Sequence, residues 1–86
     1  MAFSRGFPLN VCGPAIRRHR LGAGLSQAEL ARRSQLAGWD ISRETVAIIE
    51  AQKRIVADFE LMALAEALNI AVEKLLPPAG THRASD

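Results

Sequence analysis

The chain has 86 residues, 49% of them apolar and 23% charged, a balance that excludes a disordered polymer and fits one small globular domain. Its single cysteine, Cys12, excludes an intrachain disulfide; with only two well-separated histidines beside it, the chain offers too few ligands for a structural zinc, and no metal or other cofactor is expected. The formal net charge is +2, yet residues 17–54 carry eight basic against four acidic side chains and residues 55–86 carry two against five, which makes the first half the candidate surface for a polyanion.

Residues 1–12 read as an irregular arm with a turn at Phe7-Pro8 and with Cys12 as a small, partly buried apolar residue. The stretch Met1 to Phe7 lacks the continuous apolar core of a secretory signal. No apolar run approaches the ~20 residues of a membrane-spanning helix, so the expected location is the cytoplasm. Gly13-Pro14 then opens a first helix, expected at 14–22, because proline is tolerated where the helix N–H has no partner. Ile16 and Ala23 are expected on its inner face, and Gly22 and Gly24 end it.

Ser26-Gln27-Ala28-Glu29 is a capping box, in which the serine oxygen and the glutamate each satisfy the other's free backbone N–H. It starts a second helix with Leu30, Ala31 and Leu36 facing inward, fading near Gly38. Ser42 is a good N-cap for a third helix from Arg43 to Ala51, whose inner face carries Val46 and Ile49, with Ile41 just ahead. Asp58 is the expected cap of a fourth helix at 59–68, where Leu61, Leu64, Ala65 and Leu68 follow the i, i+3, i+4, i+7 spacing of a buried stripe and Asn69 ends the run. A fifth short helix is expected at 71–76, offering Val72, Leu75 and Leu76. Pro77-Pro78 stops it, and a mobile tail follows. No strand-type alternation is present, so the expected fold is all-α: five short helices around one core, spanning 13–76 between the arm and the tail at 77–86.

Three stretches carry a resemblance: Ile16-Arg17-Arg18-His19-Arg20, then Gly24-Leu25-Ser26-Gln27-Ala28-Glu29-Leu30-Ala31, then Ile41 to Glu50, continued by Lys53-Arg54 and the stripe Leu61 to Leu68. In this order and spacing they resemble the Cro/C1-type (XRE-like) family of helix-turn-helix DNA-binding domains. The resemblance implies a lambda-repressor-like fold and a sequence-specific transcriptional regulator of bacterial or phage type, a homodimer on double-stranded DNA; no small-molecule ligand is evident in the sequence. It implies that the third helix enters the major groove, with Arg43, Glu44, Ala47 and Ile48 as the outward, base-reading candidates. Arginine suits guanine O6 and N7, glutamate suits the cytosine amine, and an apolar side chain suits the thymine methyl.

Ser26 and Gln27 stand at a helix N-terminus, whose free N–H groups and partial positive charge suit a phosphate. Ser42, Thr45, Lys53 and Arg54 complete the backbone-contact candidates, and Arg17, Arg18, Arg32 and Arg33 are flanking cations whose helix phase turns some of them away. Arg20 and Glu50 match a family pair that joins the first helix to the third and is structural in role.

The sequence departs from the family pattern in four places. The connector between the second and third helices is longer, near Ser34 to Gly38, and its segment Gln35 to Ser42 is similar to that of a subgroup of these regulators; Trp39 is expected to pack in this extended turn. Gln52 stands where a glycine is common, Ile48 where a polar residue is common, and Ala71 supplies no capping side chain. Dimerisation is expected through Leu75 and Leu76 or through Phe3 and Phe7 of the arm. The alternative function is a protein–protein interaction module on the same fold, to which an outward Ile48 lends itself. An enzyme finds no support in His19 or His82, which have no nucleophile–base arrangement around them.

Overall fold

Four amphipathic segments close on one another because none can bury its apolar side alone. The computed structural model describes residues 8–77. They form helices α1 (Gly13–Gly22), α2 (Gln27–Leu36), α3 (Arg43–Glu50) and α4 (Asp58–Leu68), followed by a single 3-10 turn at Val72–Leu75. Helix α2 packs against α3 and α4, α1 against α3, and the 3-10 turn closes the bundle against α4 and α1. Ile16, Leu30, Val46, Ile49, Leu64 and Leu75, drawn from every element, meet in the centre with almost no exposed surface. Among the described residues no helix is long and apolar enough to cross a membrane.

The helix starts follow local chemistry. Glu29 N–H donates to the Ser26 hydroxyl (3.0 Å) and the Glu29 carboxylate accepts the Ser26 N–H (2.7 Å), which completes the box at α2. Ser42 Oγ accepts the Thr45 N–H at 3.1 Å and starts α3. At α4 the expectation is corrected. Ala57, not Asp58, is the N-cap, and its N–H is satisfied by the Glu60 carboxylate at 2.9 Å. The acid one turn inside the helix does the work that a capping side chain would otherwise do. Asn69 ends α4 in the left-handed region (φ 58°).

Other expectations are corrected too. The fifth helix is only the 3-10 turn: Ala71 caps it with no side chain, and four residues cannot repay the ordering that a full α-turn requires. Ala23 lies outside α1 and is exposed. Leu36 is 84% exposed. Helix α2 buries Leu30, Ala31 and Ser34, and at about 100° per residue Leu36 falls well round the helix from that face. Ser34 is accommodated in the core because its hydroxyl donates to the Leu30 carbonyl at 2.9 Å. Leu75, expected as a dimer contact, is fully buried, whereas Leu76 beside it is 43% exposed. Cys12, expected to be partly buried, is only 3% exposed, and burial raises its thiol pKa.

The residues just before α1 are bonded into the domain. Asn10 Nδ2 donates to the carbonyls of Ile49 (3.1 Å) and Arg54 (2.9 Å), while its Oδ1 accepts the Gly13 N–H (2.8 Å). Leu9 N–H donates to the Gln52 carbonyl, and Gln52 Nε2 donates back to the Asn10 carbonyl, both at 2.9 Å. Gln52 holds φ 62°, the left-handed conformation that its place in the family pattern suggested. The expected arm up to Phe7 and the expected tail beyond Pro77 lie outside the described residues.

Candidate nucleic-acid interface

Helix α3 buries Val46 and Ile49 and therefore turns its opposite face outward. Arg43, Glu44 and Ile48 are exposed on that face and Ala47 is partly covered. Arg43 Nη2 lies 3.3 Å from Glu44 Oε2, with the two side chains 58% and 70% exposed. So exposed a pair holds its partners weakly, and either side chain is free to take another. Behind them Thr45 is half-buried, its hydroxyl 3.1 Å from that of Ser42.

The base of α3 is joined to α1 and α2 through buried charge. Arg20 Nε donates to Glu50 Oε2 (2.6 Å), Arg20 Nη2 to Glu50 Oε1 (3.0 Å), and Arg20 Nη1 to the Leu25 carbonyl (2.8 Å). The side chains are 8% and 4% exposed, and the carboxylate raises the arginine pKa. Gln27 Nε2 donates to the same Glu50 oxygen at 3.1 Å, a contact that the sequence reading did not anticipate. A shallow cleft of about 220 Å³ opens above this cluster, lined by Arg17, Gln27, Ala47 and Ala51 besides the pair itself. The structure thus brings Arg17 of α1, Gln27 of α2 and Ala47 of α3 onto one side. Arg33, in contrast, lies against α4, its Nη1 3.4 Å from the Ala67 carbonyl.

The loop after α3 separates its two cations. Lys53 is exposed. Arg54, read as a phosphate contact alongside it, is already engaged: Nη1 and Nη2 donate to Glu60 Oε1 and Oε2 at 3.0 and 3.1 Å, and its Cζ lies 5.6 Å from the centre of the Trp39 ring. The Arg54 guanidinium holds the Glu60 carboxyl below the usual carboxylate range, with the Ala57 N–H adding to the effect and burial opposing it. Glu60 was missed in the sequence because its partner lies six residues back in a loop, where no helical spacing points to it. Asn10 was missed for the same reason, its partners lying 39 and 44 residues away.

A helix-turn-helix family model matches residues 16–75. Among solved structures, the chain is similar to the restriction-modification controller protein C.AhdI from Aeromonas hydrophila, with 32% identity, a TM-score of 0.68, and 76% of this chain and 87% of that one covered. It is also similar to the hypothetical transcription factor NHTF from Neisseria, with 30% identity, a TM-score of 0.69, and 80% of this chain and 74% of that one covered. No curated protein matches the chain.

Proposed function

The chain belongs to the Cro/C1-type (XRE-like) helix-turn-helix family of DNA-binding transcriptional regulators, and on that premise we propose that it binds duplex DNA as a homodimer, with α3 in the major groove of each half-site. The observation that carries this reading is the outward ridge Arg43, Glu44, Ala47 and Ile48, which stands clear of the core beside the cleft that Arg17 and Gln27 line. Two-fold proteins match two-fold operators with half-sites about one helical turn apart. Arg43 and Glu44 give up only a solvent-exposed contact with each other to reach base edges. The free N–H groups of the first turn of α2, next to Gln27, seat a phosphate, and Ser42 and Thr45 flank the groove with their hydroxyls. Lys53 supplies the backbone cation after α3; Arg54, held by Glu60, does not.

For the dimer, Leu75 is withdrawn into the core, and Phe3 and Phe7 lie outside the described residues. Phe59 and Met62, one turn apart on α4 and 66% and 63% exposed, take the place of Leu75 and join the exposed Leu76 as the apolar contacts of a second copy. A reading as a protein-interaction module draws on Ile48, which is 43% exposed on the same ridge.

Duplexes selected from a random pool test the proposal. Arg43→Ala is expected to relax discrimination at one base-pair position by about 1–3 kcal/mol. Lys53→Ala is expected to weaken all duplexes alike and to flatten the salt dependence by about one unit of slope. Failure of the protein to bind any duplex at low ionic strength would overturn the DNA reading and favour the interaction module.

A further inference from the structure

A connector without regular structure delivers the first turn of α3, and it must be held for that turn to have a fixed position. It runs from Ala37 to Ser42, between the end of α2 and the start of α3. Beyond the helix-end bonds of the Ala37 and Gly38 N–H groups, Trp39 N–H donates to the Ser34 carbonyl and Gln35 Nε2 donates to the Ile41 carbonyl, both at 2.9 Å, which ties it back toward α2. On the other side, the tie to the loop between α3 and α4 is made of side chains alone. Glu60, 8% exposed and fixed by the Ala57 N–H, grips both terminal nitrogens of Arg54 in an end-on fork. Arg54 in turn lies over the Trp39 ring at 5.6 Å, within cation–π range. Trp39 packs against the core from the connector. Trp39 and Arg54 share one open hollow of about 450 Å³ with Ser42 and Thr45, so this chain of contacts ends beside the first turn of α3.

We propose that Glu60 is a positioning residue for DNA recognition, acting through Arg54 and Trp39 to seat the connector and the first turn of α3 without touching DNA itself. The proposal rests on the DNA reading above and goes beyond it in giving a buried carboxylate, which would repel a phosphate, a part in recognising DNA. Arg54 serves as the clamp and not as a ligand because its charge is already neutralised and its face already covered. A lysine in its place keeps the charge but loses both the fork and the stacking plane.

Trp39 is the only tryptophan in the chain, so its emission reports on the clamp directly. In the DNA-free full-length protein, Glu60→Gln and Arg54→Lys are each expected to shift Trp39 emission and to raise its quenching by acrylamide, with far-UV circular dichroism unchanged. With a duplex selected by the wild-type protein and an unrelated duplex as probes, both variants are expected to lose about tenfold in the ratio of specific to non-specific affinity. The salt slope should stay as in the wild type. A phosphate role for Arg54 gives the opposite pattern: Glu60→Gln releases a cation, tightens both duplexes and steepens the slope, while Arg54→Lys binds like the wild type. That pattern, or a Trp39 signal unmoved in both variants, overturns the proposal. If Glu60→Gln loses helical signal, Arg54→Lys at its half-exposed site carries the same two measurements. A wild-type protein that binds no duplex overturns the DNA reading and this proposal together. Wild-type binding with unmoved variants overturns the clamp alone.

Discussion

Arg20 and Glu50 are opposite charges almost wholly removed from water, and their arrangement shows why a buried pair is expensive to break. The guanidinium uses Nε and Nη2 on the carboxylate and Nη1 on the Leu25 carbonyl, while the carboxylate takes a further donor from Gln27. Every strong donor and acceptor is matched, and among the described residues no buried side-chain nitrogen or oxygen lacks a partner. Removing one member leaves the other charged, buried and unpaired. Arg20→Met is expected to cost about 3–5 kcal/mol, read from the urea midpoint, whereas Arg20→Met combined with Glu50→Leu recovers most of that loss because neither charge is then stranded. A single-variant cost below about 1 kcal/mol would mean that water reaches the pair. The resemblance pointed to this pair; the third participant, Gln27, emerges only when the start of α2 is brought over the end of α3.

Elements meet here at unusually short range where α1 begins. A Cβ built on Gly13 would stand 2.5 Å from the Ile49 carbonyl oxygen and 2.9 Å from that of Glu50, both backbone atoms at the end of α3. Gly13 therefore reads in the sequence as a helix-start residue and acts in the fold as a spacer of no width between two helices. Gly13→Ala is expected to lower stability by about 1–3 kcal/mol, measured as a fall in Tm, because backbone must shift to admit the methyl group. Unchanged stability would show that α1 slides freely on α3. The starts of α2 and α3 were the most legible feature of the chain: Ser26 with Glu29, and Ser42 with Thr45, bond across three residues, so their chemistry is local. The facing of Leu36 and Leu75 was not legible. A helix of three turns or fewer gives too little periodicity to decide its inner face, and neighbouring elements decide it instead.

Acid couples the charges of the whole molecule to its stability. Glu60 is held below its ordinary value near 4.5 chiefly by Arg54, and Glu29 is held below the same value by the N–H and hydroxyl of Ser26. A carboxyl whose folded pKa is lowered stabilises the fold fully above its unfolded value, and the contribution disappears as the pH falls through the folded value. Thermal stability is therefore expected to decline as the pH drops below about 4.5, and Glu60→Gln is expected to start lower at neutral pH and decline less steeply. Parallel melting curves for the two proteins would contradict the assignment.

The sequence by itself determined the all-helical class, the starts of α2 and α3, the end of α4, most of the apolar core and the resemblance to the Cro/C1-type regulators. Each of these rests on residues within one turn of each other or on a short ordered motif. Only the tertiary structure decided that Arg54 grips Glu60 and stacks on Trp39, that Asn10 ties the start of the domain to the loop after α3, and that Arg33 faces α4 while Arg17 flanks the ridge. Those contacts join groups from separate elements, and no spacing along the chain encodes a distance that exists only after the helices have packed.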